Sequence, residues 1–127
     1  MRVLVDSSVL IDHLRGYAPA TDRLLRLVRE GEELWSITPV RTEIIAGMRP
    51  GEEAATRALL DQLRWLEVDA DLADHAGDIA HGHVRTDPGV DTVDYLVAAG
   101  AARVGASLLT LNVRHFPMVE GLQPAYE

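Results

Sequence analysis

Three acidic residues lie beside apolar segments, at points where carboxylates could bind a metal ion or transfer a proton. Asp6 ends the run Val3–Val5, Glu43 lies in the segment TPVRTEIIAGM, and Asp94 stands directly before the apolar stretch YLVAAGAA. In open α/β sheets, ligands bind beyond the carboxyl ends of the strands, which is where Asp6 lies if Val3–Val5 is a strand. These acids are therefore candidates for catalysis or metal binding.

Each of these acids also has a purely structural explanation. Asp is common at strand ends and at helix N-termini, where it accepts hydrogen bonds from backbone N–H groups. Glu43 could be a surface residue at a helix edge, although Val40, Ala46 and Gly47, its neighbours at helical spacing, are small and apolar. Neither explanation is excluded by the residue types alone.

Asp91 and Asp94 open the same predicted helix, and their spacing places them near one face. In one interpretation Asp91 caps the helix and Asp94 completes a capping box with Asp in place of Glu. In the other, Asp94 turns with Ala98 and Ala101 toward the sheet edge where Asp6 emerges. The helical period does not separate the two.

The segment LLTLNVRHF places Thr110 and Asn112 just past another predicted strand, although both are also ordinary turn residues. Carboxylates that converge at one sheet edge repel one another unless a cation lies among them. Oxygen ligands favour Mg²⁺ or Mn²⁺, and such ions polarise phosphates and activate water. Together these residues predict a metal site that acts on a phosphodiester.

Composition narrows the class of protein. A length of 127 residues predicts a single domain, residues 1–127, and a net charge of −8 argues against a general phosphate-binding surface. All 12 basic side chains are Arg, which excludes P-loop, Schiff-base and receiver-domain chemistry because each needs a lysine. Metal ions bound by the acids would supply the positive charge that a nucleic-acid substrate needs.

The sequence also predicts the cellular compartment of the protein. It contains no Cys, which excludes disulfides, zinc fingers and thiol catalysis. No apolar run approaches the roughly 18 residues that cross a bilayer, and the first residues lack a signal-peptide pattern. We therefore expect a cytoplasmic protein that does not associate with membranes.

Strand-like segments alternate with segments of helical period, which predicts an α/β fold with a parallel sheet. Ser7 or Ser8 is expected to cap the first helix, and Thr38 to cap a later one with Pro39 at its first position. The predicted strands are Val3–Val5, LWSIT, WLEV and ASLLT. The predicted helices are SSVLIDHLRG, APATDRLLRLVREGEE, TPVRTEIIAGM, GEEAATRALLDQLR, DADLADHAGDIAHGHV and 91–104, with a loop at TDPG and one helical turn at 112–115.

Four segments in order, VLVDSSVLID, ITPVRTEIIAG, DYLVAAGA and LLTLNVRHFP, span the whole chain and resemble the PIN-domain ribonucleases, specifically the VapC-type toxins of bacterial toxin–antitoxin pairs. The resemblance implies a PIN-like three-layer fold with a central parallel sheet flanked by helices. It also implies a homodimer, dependence on Mg²⁺ or Mn²⁺, and hydrolysis of RNA to a 5′-phosphate and a 3′-hydroxyl. The expected partner is a VapB-like antitoxin whose tail covers the acidic groove, often with an inserted arginine.

Carried over by position, the resemblance places the three family acids on Asp6, Glu43 and Asp94. The fourth position falls on Asn112, where many members carry Asp, which leaves open how tightly a second metal is held. Ser7 and Thr110 match positions that support the site by hydrogen bonds. Arg114 is a candidate clamp for the RNA backbone and equally a candidate surface residue.

Other functions compete with this interpretation. The main alternative is a non-catalytic PIN-like interaction module, which the Asn at position 112 favours. A phosphatase with Asp6 as nucleophile is disfavoured because Ser8 replaces the second acid of a D-x-D pair. His75, His81 and His83 lack a recognised metal-binding spacing, and no G-x-S-x-G serine hydrolase motif occurs.

Overall fold

The computed structural model describes residues 1–83, 86 and 88–127, and it alternates strands with helices as the sequence predicts. The predicted loop TDPG includes Asp87, and the predicted fifth helix ends at Val84; both residues lie outside the described part. The strands are β1 (Arg2–Val5), β2 (Glu33–Ile37), β3 (Arg64–Leu66) and β4 (Ser107–Leu109). The helices are α1 (Ser7–Leu14), α2 (Ala18–Arg29), α3 (Thr38–Ala46), α4 (Glu53–Asp61), α5 (Ala70–His83) and α6 (Thr92–Val104), followed by a 3₁₀ turn at Val113–His115.

The four strands form one sheet in the order β3-β2-β1-β4, and every pairing is parallel. Val3 of the central strand β1 lies beside Leu34 of β2 and Ser107 of β4. Because all strands run in the same direction, their carboxyl ends lie at one edge. The residues that follow β1, β2 and β4 therefore lie along that edge.

Both faces of the sheet are covered, which explains why β1 is apolar at consecutive positions rather than at alternate ones. Leu4 contacts helix α6 near Gly100, so Val3 and Val5 on either side of it point to the opposite face. All three residues are buried. The predicted α/β architecture with a central parallel sheet is confirmed.

Helix α6 approaches the sheet closely because its inner face is built of small residues. A Cβ atom added at Gly100 would lie 2.8 Å from Cγ2 of Ile37, closer than atoms pack in proteins. The close approach fixes the height of α6 above the sheet. It thereby also fixes the position of its first turn, which carries Asp94.

Three local predictions need correction. Neither Ser7 nor Ser8 caps α1, since Asp6 occupies the N-cap position and the Ser8 hydroxyl bonds elsewhere. Helix α3 begins at Thr38 itself, with Ile37 as N-cap, because the second position tolerates Pro39 as well as the first does. Strand β3 ends at Leu66 rather than continuing to residue 68, because its partner β2 ends opposite it at Ile37.

No helix among the described residues is long and apolar enough to cross a membrane.

Candidate active site

Asp6 is a buried carboxylate held in one orientation by two hydroxyl groups. Strand β1 continues into it, and the Asp6 backbone N–H donates to the carbonyl of Leu109 at the end of β4 (3.0 Å). The hydroxyls of Ser8 and Thr110 both donate to its Oδ2 atom, at 3.0 and 2.8 Å. Among the described residues, Oδ1 receives no side-chain hydrogen bond, so it can accept a ligand.

The turn after β4 wraps around this carboxylate. Thr110 is fully buried, and its Oγ1 accepts a hydrogen bond from the backbone N–H of Asn112 at 3.0 Å. The N–H of Leu111 donates to the Ser8 hydroxyl at 3.2 Å. Helix α1 and the turn at 110–112 are thus joined through the two hydroxyls that orient Asp6. The hydrogen-bonding role predicted for Thr110 is present in the geometry.

Asp94 lies in a capping box at the start of α6. The Asp94 N–H donates to Oδ1 of Asp91 at 3.0 Å, and the Asp91 N–H donates to Oδ2 of Asp94 at 3.1 Å. The capping interpretation is therefore confirmed for Asp91, which is exposed. Asp94 is only 8% exposed and is close enough to Asp6 for their charges to repel. Asp94 therefore both completes the capping box and lies beside Asp6.

Glu43 stands on α3 at the exposed rim of the same group of acids. Partial desolvation raises the pKa of its carboxyl, and repulsion from Asp6, Asp91 and Asp94 raises it further. A hydrogen bond with Ser7 opposes the shift. Ser7 therefore faces Glu43, and Ser8 is the serine that supports Asp6. Sequence reasoning named Ser7 as a supporting residue and missed Ser8, although D-S-S offered both hydroxyls.

The charge of the site is strongly negative. Burial is the main reason that the pKa of Asp94 is raised to about 6; the hydrogen bond from Asp91 opposes this, and repulsion from Asp91 and Asp6 adds to it. Asp94 and Glu43 are thus both costly to ionise in the folded chain. A cation among these carboxylates would remove that cost.

His115 is a neighbour of the site that sequence reasoning missed. The 3₁₀ turn Val113–His115 brings its Nδ1 atom to 3.4 Å from Oδ2 of Asp94, and its charged form would lower the pKa of that carboxyl. The available signal was the single helical turn predicted at 112–115.

Asn112 and Arg114 lie at the open rim and are exposed. The Asn112 side chain forms no hydrogen bond with any described residue; only its backbone takes part in the turn. Arg114 makes no ion pair within the described ranges, so its guanidinium is available to an anion. Their predicted roles, as an assisting ligand and as a clamp on RNA, stay predictions.

The donor set suits a hard cation, but the acids are not drawn into a tight cluster. Asp6, Glu43 and Asp94 offer only oxygen atoms, the ligands that Mg²⁺ and Mn²⁺ prefer. No three His, Asp or Glu side chains of the described part of the chain stand at metal-binding distances from one another. Within the same described residues, His75, His81 and His83 form no such group either. In donor chemistry and in charge, the residues at this edge fit a divalent cation.

Comparison with known proteins identifies the family. Residues 3–121 match the PIN domain family. The chain is 44% identical over 123 residues to the protein named Ribonuclease VapC19 of Mycobacterium tuberculosis, covering 97% of this chain and 98% of that one. It is 39% identical over 124 residues to Ribonuclease VapC10 of the same organism, covering 98% and 92% of the two chains.

Solved structures share the fold. A toxin–antitoxin complex from Klebsiella pneumoniae contains a chain that superposes with a TM-score of 0.79 at 20% identity, with 98% of each chain covered. A chain of VapBC2 from Rickettsia felis, solved bound to a DNA fragment from its promoter, superposes with a TM-score of 0.77 at 15% identity, with 96% of each chain covered. The parallel sheet that brings Asp6, Glu43 and Asp94 to one edge is thus the PIN fold, and this chain belongs to the PIN-domain family together with the VapC ribonucleases.

Proposed function

We propose that this chain is the toxin of a type II toxin–antitoxin pair and hydrolyses RNA phosphodiester bonds with the help of Mg²⁺ or Mn²⁺. The observation that carries the proposal is the Asp6 carboxylate, buried at the carboxyl edge of the sheet and oriented by two hydroxyls, beside Asp94 and Glu43. Two relatives at 44% and 39% identity bear the name ribonuclease, which supports RNA as the substrate. Residues 1–127 would form one catalytic domain.

Asp6, Asp94 and Glu43 would hold the metal, directly or through water, and Asn112 would assist. When bound, the metal would supply positive charge, an activated water and stabilisation of the leaving oxygen. The Asp6 carboxylate is already oriented before a metal binds, because hydrogen bonds from Ser8 and Thr110 fix it.

The rim residues have separate proposed roles. Ser7 orients Glu43, and Asp91 orients Asp94 through the capping box. Arg114 would contact a backbone phosphate of the RNA, since its guanidinium can form paired hydrogen bonds with phosphate oxygens. These contacts would hold the substrate across the acidic edge.

The proposed partner is a VapB-like antitoxin with an arginine-bearing segment. The acidic edge attracts a basic peptide. A bound guanidinium would favour the ionised forms of Asp94 and Glu43, whose pKa values are raised by burial and, in addition, by repulsion from neighbouring acids. We propose in addition that the chain forms a homodimer. Because both RNA and the antitoxin would be met in the cytoplasm, we place its activity there.

Cleavage of structured RNA by the purified chain tests the proposal. We expect hydrolysis with Mg²⁺ or Mn²⁺, none after addition of EDTA, and none with Asp6→Asn, whose side chain still accepts both hydroxyl hydrogen bonds. Activity that persists in EDTA would contradict the metal site. Tight binding of RNA or of a protein partner without cleavage in any metal would instead favour the non-catalytic interaction module.

A further inference from the structure

Two residues near the end of the sequence, Ala125 and Tyr126, connect the turn after β4 with helix α1; we call this pair the strap. The Ala125 N–H donates to the carbonyl of Thr110 at 2.8 Å. The Tyr126 hydroxyl donates to Oδ2 of Asp12 in α1 at 2.6 Å. A distance this short is typical of a hydrogen bond to a charged carboxylate, which is stronger than one between neutral groups.

Each end of the strap is hydrogen-bonded to an element that orients Asp6. Thr110 donates its hydroxyl to Asp6 directly. Asp12 lies on α1, the helix that starts immediately after Asp6 and carries Ser8, the second donor. The strap therefore joins the two elements whose hydroxyls orient the carboxylate.

Apart from the hydroxyl bonds that Ser8 and Thr110 both make to Asp6, the direct side-chain contacts between the two elements are long. The Ser8 and Thr110 hydroxyls are 3.4 Å apart, at the outer limit of a hydrogen bond, and Leu111 N–H meets Ser8 at 3.2 Å. The strap adds one further connection, made of two short hydrogen bonds in series at Ala125 and Tyr126. The ring of Tyr126 also packs against that of Tyr17 at 5.8 Å, which limits its movement.

We propose that Tyr126 is a positioning residue, which acts through Asp12 and through the Ala125–Thr110 bond to fix the Asp6 carboxylate for metal binding. The inference rests on the proposed function, because Tyr126 can affect metal binding only if Asp6 holds a metal. Groups that orient a metal ligand typically change metal affinity by about tenfold or more when they are removed. Tyr126 is separated from Asp6 by two successive hydrogen bonds, so we expect its loss to weaken metal affinity by only roughly threefold to tenfold.

The test is calorimetric titration of the full chain with Mn²⁺. Tyr126→Phe removes the hydroxyl and keeps the ring against Tyr17. The matched control is Tyr17→Phe, which removes a hydroxyl from the same ring pair; that hydroxyl has no hydrogen-bond partner among the described residues. We expect Mn²⁺ to bind Tyr126→Phe more weakly by the stated factor and Tyr17→Phe as it binds the wild type. At saturating Mn²⁺ the KM for RNA should be the same in all three proteins.

Variants of Asp12 test the same hydrogen bond by changing its acceptor. Asp12→Asn keeps an acceptor oxygen for Tyr126 and should bind Mn²⁺ within about twofold of the wild type. Asp12→Ala breaks the bond and should match Tyr126→Phe, and it replaces that variant if Tyr126→Phe does not fold. Equal Mn²⁺ affinity in the wild type, Tyr126→Phe and Asp12→Ala would overturn the proposal.

Hydrogen exchange separates failure of the strap from failure of the proposed function. If the wild type neither binds Mn²⁺ nor cleaves RNA, the proposed function is wrong, and the strap is judged on the amides of Leu111 and Asn112 alone. Faster exchange of these amides in Tyr126→Phe than in Tyr17→Phe would support a strap that orders the turn around Asp6. Equal exchange would reject it.

Discussion

Replacement of Asp94 by Asn should stabilise the metal-free chain while it abolishes metal-dependent cleavage. The Asn side chain keeps an oxygen that can accept the hydrogen bond from the Asp91 N–H, so the capping box survives. What it removes is a negative charge that is buried and faces Asp6, Asp91 and Glu43. Stability and activity should therefore change in opposite directions.

The magnitude follows from the raised pKa. The Asp94 carboxyl has a pKa of about 6 in the folded chain against an ordinary value of 3.8, so its ionisation costs the folded state at most about 3 kcal/mol. Because water reaches part of the site and screens the charges, we expect Asp94→Asn to gain about 1 to 2 kcal/mol in the free energy of unfolding. For a chain of this length that is a rise in Tm of about 3 to 8 °C.

The gain should depend on pH in a defined direction. Below about pH 3 the carboxyl is mostly protonated in both the folded and the unfolded state, so Asp94→Asn and the wild type should melt alike. As the pH rises from about 3 to 6, the wild type loses stability relative to Asp94→Asn, because the carboxyl of the unfolded chain, with its ordinary pKa of 3.8, ionises before that of the folded chain. Above pH 7 the difference in Tm should be constant and at its largest.

Thermal melting with and without Mn²⁺, together with RNA cleavage, measures both effects, and Asp91→Asn is the matched control. Asp91 is exposed and Asn caps a helix about as well as Asp, so we expect a change in stability within about 0.5 kcal/mol and only a modest fall in activity. Mn²⁺ should raise the Tm of the wild type and of Asp91→Asn but not that of Asp94→Asn. An active Asp94→Asn with an inactive Asp91→Asn would show that the two roles are reversed. An unchanged Tm for Asp94→Asn at pH 8 would show that the charge of Asp94, although buried and repelled by its neighbours, does not destabilise the folded chain.

Three further predictions address packing, the open rim and the partner. Gly100→Ala should destabilise the chain by about 1 to 3 kcal/mol in chemical denaturation, because the added Cβ would clash with Ile37. The control is Gly77→Ala in α5, where the added Cβ contacts no other atom, and it should stabilise the chain by roughly 0.5 to 1 kcal/mol. Equal effects of the two substitutions would contradict the close approach of α6. Asn112→Asp should tighten Mn²⁺ binding by adding a charge at the site, and unchanged calorimetry would leave Asn112 as a turn residue only. A basic antitoxin segment should inhibit RNA cleavage at one equivalent, and a verified binder that leaves cleavage intact would not occupy the acidic edge.

Local sequence determined much of this fold and part of the site. The uninterrupted apolar run of β1 required a sheet covered on both faces, and the position of Asp6 directly after it placed a carboxylate at the edge. The capping box of Asp91 and Asp94 was one of the two interpretations that the sequence offered, because both partners lie within three residues of each other. Such features depend on neighbours along the chain, whose geometry the helical and strand periods fix.

Tertiary structure decided which of these groups meet and what orients them. Thr110 lies 104 positions from Asp6, yet its hydroxyl donates to that carboxylate because β1 and β4 are adjacent in the sheet. Within D-S-S, the second serine rather than the first donates to the same carboxylate. Tyr126 meets Asp12 across 114 positions. No periodicity or spacing encodes such contacts, because they depend on strand order and on the path of the chain after the last strand, which only the packing of the whole molecule settles.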